Sequence, residues 1–315
     1  MFKTPILFLV FNRPEVTSRT FKCISEIKPE KLFIAADGPR LGSEEDIELC
    51  KKTRATIFGL IDWPCKVETL FRDENLGCRR AVSEGITWFF THVEAGIILE
   101  DDCVASPDFF SFCEKMLEKF KDNKDIGMIQ GTNFLDNTYC QESYFFSKFV
   151  IVWGWATWKN KWLLYKDELE NWSEVRNSHL LQNMFNNKNV SRYYTLMFDK
   201  MSEGAVDTWD SNWLYALLRT NQLVICPTKN LISNIGFIGT FVNKTHYHLM
   251  SLPVRSLEID NLIKPESIIQ NIKLDALQFH NTRIDRFSLK IYFRVSFKDS
   301  VLLSIAYKIK NLLHI

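Results

Sequence analysis

Five short apolar runs, at 5–11, 31–36, 66–71, 95–99 and 126–129, punctuate the first 130 residues, and amphipathic stretches at 16–27, 44–58, 79–90 and 107–120 lie between them. A chain that alternates in this way folds as βαβ units, because parallel strands need long crossovers and each crossover helix covers a sheet face. Pro14 and Pro107 stand where a first helical turn begins, a position at which the missing N–H is not needed. The predicted fold class is therefore α/β with a mostly parallel central sheet. Ligands collect at the C-terminal strand ends of such sheets. Three of those ends are polar: Asn12-Arg13-Pro14, Asp37-Gly38-Pro39-Arg40 and Glu100-Asp101-Asp102.

Length and composition bound what else the chain can be. With 315 residues, 46% of them apolar and 24% charged, it can bury a large core. Nine tryptophans supply flat faces that fill cores and also stack on sugar rings. A formal charge of +1 gives no reason to expect a nucleic acid partner. The apolar run at 5–11 is too short for a signal core, and no stretch of 18 apolar residues occurs, so a cytoplasmic protein is expected. The eight cysteines are scattered without a CxxC pair, which predicts reduced, packed thiols and no zinc site.

Three adjacent carboxylates directly after a buried strand repel one another, and desolvation sharpens the repulsion. They persist if a cation or hydroxyl donors occupy the site. A divalent ion, Mn2+ or Mg2+, bridging one aspartate and a diphosphate serves that purpose. The other reading is a solvated turn that caps the next helix. The strand before the triplet and Pro107-Asp108-Phe109-Phe110 after it favour the cation. Asn75-Leu76-Gly77-Cys78-Arg79-Arg80 opens a helix, so Arg79 could face a diphosphate, against the alternative of a solvated helix face. Trp153 and Trp155, with Trp158 and Trp162, are candidates for an acceptor groove, with core packing as the competing role. His246 is a candidate metal ligand, and His248 a weaker one. In the tail, 283–315, seven basic residues interleave with large apolar ones, a pattern suited to peripheral attachment at the cytoplasmic face of a membrane or to packing on the body.

Taken together, the blocks at 98–117 (ILEDDCVASPDFFSFCEKML), 5–16, 33–39, 153–158 (WGWATW) and 209–213 (WDSNW) resemble, in order, those of the N-acetylglucosaminyltransferase I family. The similarity spans about residues 4–250 and is strongest between 95 and 120. It implies a GT-A fold over 1–250, with a nucleotide-sugar half at 1–130, an acceptor half at 131–250 and an extension at 251–315. By the same resemblance Arg13 contacts the diphosphate, Asp37 the base, Glu100 and Asp101 the donor sugar and ribose, and Asp102 the metal. Asp210, which follows Trp209, is the implied general base of an inverting transfer from a UDP-sugar, with UDP-GlcNAc a candidate, to a saccharide or lipid-linked acceptor. Asp207 reads instead as a helix N-cap. Family members are membrane-anchored Golgi enzymes, and no anchor is seen here, which points to a bacterial relative that builds a polysaccharide or glycolipid.

Two alternatives stand beside this expectation. Sugar-phosphate nucleotidylyl transfer uses a similar sheet, but usually with a Gly-rich basic loop that Phe11-Asn12-Arg13-Pro14 lacks. A non-catalytic carbohydrate-binding protein would not be expected to keep the acidic triplet, Asp37 and Asp210 together.

Overall fold

A computed structural model describes residues 1–135, 140–206, 208–236 and 251–282. The first half follows the predicted rhythm: β1 (Ile6–Val10), α1 (Pro14–Ile27), β2 (Lys31–Ala36), α2 (Glu44–Gly59), β3 (Lys66–Phe71), α3 (Gly77–His92), β4 (Ala95–Glu100), β5 (Cys103–Ala105), α4 (Pro107–Lys119) and β6 (Ile126–Gln130). The second half contributes β7 (Tyr144–Ser147), β8 (Trp155–Trp158), α5 (Lys159–Trp162), α6 (Trp172–Asn177), α7 (Leu180–Phe185), α8 (Lys188–Ser202), α9 (Trp209–Arg219), β9 (Leu223–Pro227), β10 (Ile232–Asn234) and α10 (Ile272–Thr282). Local chemistry sets the helix starts. Pro14 and Pro107 occupy first turns. The Ser43 hydroxyl accepts from Asp46 N, and the Ser106 hydroxyl from Phe109 N, so each satisfies an otherwise orphaned donor.

Eight strands form one sheet in the order β3-β2-β1-β4-β8-β6-β9-β7. β3, β2, β1 and β4 are parallel, and β6 and β9 are parallel to each other. Only β8 and β7 run against their neighbours. This is the expected α/β class. Strand alternation assigns the two faces. Ile6, Phe8, Leu32, Ile34, Ile97 and Leu99 pack beneath α1, α2 and α4, whereas Leu7, Leu9, Phe33, Ala35 and Ile98 pack against α3 and α9. Strands buried on both faces read as unbroken apolar runs, which is why they were visible in the sequence.

The second half departs from expectation. Trp155-Ala156-Thr157-Trp158 is a central antiparallel strand between β4 and β6 rather than an acceptor-side loop. The apolar run at 223–232 splits. β9 joins the large sheet, and β10 pairs with β5 in a separate antiparallel ribbon that aligns Asn234 with Cys103. Residues 251–282 lie back on the body: Arg255 N donates to Asn230 O, Asn271 N to Phe146 O, and Asp275 accepts from Ser147 Oγ and Lys148 N. None of the eight cysteines forms a disulfide. No described helix is long and apolar enough to cross a membrane. The basic tail at 283–315, Asp207, His246 and His248 lie outside the described residues.

Candidate functional site

The chain winds from β1 out to β3 on one side and returns on the other side of β1 as β4, so the strand order reverses between β1 and β4. Loops leaving two such strands diverge and open a crevice. Here they carry Asn12-Arg13 and Glu100-Asp101-Asp102, brought level by the pairing of Leu9 with Glu100. A cavity of about 330 Å³ fills the crevice. Leu9, Phe11, Ala35, Ala81 and Val82 give it an apolar side, Asp37 and Asn75 line one region, and Arg13, Glu100 and Asp101 line another.

Arg13 clamps the acids. Its Nη2 donates to Asp101 Oδ1 and, at 2.9 Å, to Asp102 Oδ2, while Nε donates to Asp101 Oδ2 at 3.2 Å. Burial disfavours the guanidinium charge, yet the two carboxylates win and its pKa rises. The same burial pushes the Glu100 carboxyl up to about 8, helped by the charges of Asp102, Asp101 and Asp210. Asp101 is raised to about 6, because desolvation outweighs the pull of Arg13. Asp210 therefore belongs to the electrostatic surroundings of Glu100. It sits in the first turn of α9, where its carboxylate accepts from Thr208 Oγ1 and Ser211 N. The N-cap of α9 is Thr208.

The ribbon completes the acidic end. Asn234 Nδ2 donates to Asp102 Oδ1 at 3.3 Å, and Ile235 N donates to Asp102 O at 2.9 Å. A Cβ at Gly236 would lie 2.0 Å from Asp102 Oδ2, so a larger residue there would have to displace this carboxylate. The donor set suits a hard cation: carboxylate oxygens and no thiolate. Among the described residues no group of three or more His, Cys, Asp or Glu could hold a metal by itself. One aspartate with the remaining positions filled by phosphate and water is how Mg2+ is commonly held. Asp102 would supply that ligand.

Other predicted residues take different places. Asp37 lines the cavity, but Oδ1 accepts from Gly38 N and Leu76 N and Oδ2 from Asn75 Nδ2 and Gly77 N. Its carboxylate ties the end of β2 to the loop before α3 instead of being free for a base. Arg79 Nη1 donates to Asp167 O at 3.1 Å, and its side chain does not line the cavity. Arg79 therefore stands outside the cavity that Gly77 and Cys78 of the same helix turn line. Trp155 is 0% exposed, with ring centroids of Trp162, Trp209 and Trp213 at 6.1, 6.0 and 5.8 Å. A side chain without exposed surface cannot touch an acceptor, so that expectation is corrected. Trp153 is half-buried, against Phe134.

Asp46 was not foreseen. It is 1% exposed, and it accepts from Asn12 Nδ2 at 2.7 Å and from Arg40 Nη2 at 2.8 Å, joining the loops after β1 and β2. No sequence signal separates it from the other acids in the first turn of α2. The Arg40 hydrogen bonds hold its pKa well below the usual carboxylate range. A depressed folded pKa stabilises the fold at neutral pH and loses that contribution as pH falls through it. Asp46→Asn should cost about 1–3 kcal/mol at pH 7, the range for an impaired buried acceptor. The deficit should shrink steadily below about pH 4. Urea unfolding of both proteins at pH 7 and pH 3 checks this, and an unchanged gap at pH 3 would count against it.

No family model matches the chain, and no curated protein does. Solved structures to which it is similar include the inositol-1-phosphate CTP transferase of T. maritima (10% identical, TM-score 0.37, covering 78% of this chain and 94% of that one). Another is the 4-diphosphocytidyl-2C-methyl-D-erythritolsynthase of Anaerococcus prevotii (10%, 0.37, 71% and 88%). A third is HddC of Yersinia pseudotuberculosis complexed with GMP-PN (12%, 0.32, 50% and 77%). These names correct the expectation of sugar transfer from a UDP-sugar. By their names two are a CTP transferase and a diphosphocytidyl synthase and the third is a complex with GMP-PN, and none of the three names an N-acetylglucosaminyltransferase. The fold assignment itself rests on the strand order given above.

Proposed function

We propose that the chain is a nucleotide-dependent transferase of the nucleotidylyl type, which joins a nucleoside monophosphate unit to a small phosphorylated substrate with Mg2+ or Mn2+. The observation that supports it is the cavity of about 330 Å³ at the β1/β4 reversal, which Arg13, Glu100 and Asp101 line together with the apolar Leu9, Phe11, Ala35, Ala81 and Val82; Asp102 stands beside it, bonded to Arg13. Gly77 and Cys78 in the first turn of α3 line the same cavity, and the Asp37 carboxylate accepts from Gly77 N there.

In this reaction a phosphate oxygen of the substrate attacks the α-phosphorus, that P–O bond forms, the α–β bridge breaks, and pyrophosphate leaves. A phosphate nucleophile is already ionised at neutral pH and needs no general base, so Asp210 loses the catalytic part that the family resemblance assigned to it. Glu100, which lines the cavity, serves better as a hydrogen-bonding partner for ligand hydroxyls. Arg13 stabilises charge on the phosphates, and a cation held by Asp102 supplies Lewis-acid charge compensation. The missing Gly-rich loop is answered in part by Arg13, which puts a basic group directly after β1.

A panel of nucleoside triphosphates and sugar or polyol phosphates with Mg2+, read by pyrophosphate release, tests the proposal. Pyrophosphate should appear with one nucleotide and depend on the phosphorylated substrate. Release of free sugar from a nucleotide-sugar, with no pyrophosphate from any pair, would overturn it.

A further inference from the structure

The site holds a cation of its own where a metal is wanted. Arg13 Nη2 is shared between Asp101 Oδ1 and Asp102 Oδ2, whereas Nε is engaged by Asp101 alone. The other oxygen of Asp102 accepts from Asn234 Nδ2 at 3.3 Å and from Cys103 Sγ at 3.5 Å, and the Gly236 backbone passes beside Oδ2. A divalent ion approaching Oδ2 therefore meets the guanidinium nitrogen 2.9 Å from the same atom. Two positive charges cannot share that oxygen closely without mutual repulsion.

We propose that Arg13 is a counter-ion switch that couples the two ligands: it neutralises Asp102 in the free protein and gives it up to a divalent cation only when phosphates draw the guanidinium away. This rests on the nucleotide reading above and adds to it how the two ligands depend on each other. The geometry permits the exchange. Nη2 can leave Asp102 while Nε stays on Asp101, so the side chain swivels about a retained contact. The Arg13 side chain is 36% exposed, so phosphate can reach it from solvent, and a guanidinium binds phosphate oxygens in a fork. By linkage, nucleotide then raises cation affinity and cation raises nucleotide affinity by the same factor.

Mn2+ binding to the full chain, measured by electron paramagnetic resonance with and without each of ATP, CTP, GTP and UTP, tests this with no need for turnover. The parent should bind Mn2+ weakly alone and about 10-fold or more tightly with its nucleotide, a typical coupling. Arg13→Met should bind Mn2+ alone about 10-fold more tightly than the parent and show little further gain with nucleotide. Arg13→Lys keeps the charge but not the fork, so Mn2+ alone should stay weak. Melting curves establish that each variant is folded before it is compared. Equal Mn2+ affinity in the parent and Arg13→Met, or equal affinity in Met and Lys, overturns the switch. Failure of every nucleotide to bind the parent overturns the functional reading instead, and the Mn2+-only comparison still decides the switch.

Discussion

Asp102→Ala is expected to lower turnover by about 1,000-fold, because a cation at a reacting phosphate supplies several kcal/mol of charge stabilisation and each 1.36 kcal/mol is tenfold in rate. The fold should survive. The ribbon contact Ile235 N to Asp102 O uses backbone, and Arg13 keeps its two bonds to Asp101. The far-ultraviolet circular dichroism spectrum should match the parent, while pyrophosphate release falls and excess Mg2+ fails to restore it. A variant within a few-fold of parent turnover would remove the cation from Asp102.

Trp155→Ala should have the largest effect on stability, about 3–5 kcal/mol, the range for deleting a buried Trp. Trp155 is fully buried in a strand at the middle of the sheet, and three other indole rings surround it. Its Nε1 has no hydrogen-bond partner among the described residues, so the loss is one of volume rather than of a polar contact. Trp155→Phe should accordingly cost less than half as much. Equilibrium urea denaturation gives both values. If Trp155→Ala unfolds with the parent midpoint, the cluster is not a stabilising core.

Sequence patterning was most informative where one local rule decided structure. β2 and β3 begin and end where their apolar runs do, and α1 and α4 start at their prolines. The acidic triplet was recognisable because a buried strand followed by three carboxylates is electrostatically costly. What was not legible depends on partners far along the chain. WGWATW has the composition of a binding loop and becomes a strand only because β4 and β6 flank it. Arg13 is shown pairing with Asp101 and Asp102, a contact across nearly ninety positions. Asp37 looked free for a ligand because nothing in its neighbourhood reveals the four donors that reach it. Trp155 and Trp153 look alike in sequence, and burial alone separates them.

The ribbon of β5 with β10 has a consequence for how the protein comes into being at the ribosome. Residues 103–105 wait for 232–234 to be synthesised before they can pair, and Asn234 is the residue that steadies Asp102. Strands β1 to β4 and their helices can assemble as soon as they emerge, since N-terminal parts fold first. A nascent chain would therefore own the cavity at the β1/β4 reversal well before the carboxylate beside it has its support. On such a chain Arg13 can already pair with Asp101 and Asp102, so the acids are never left to repel one another while the second half is still being made.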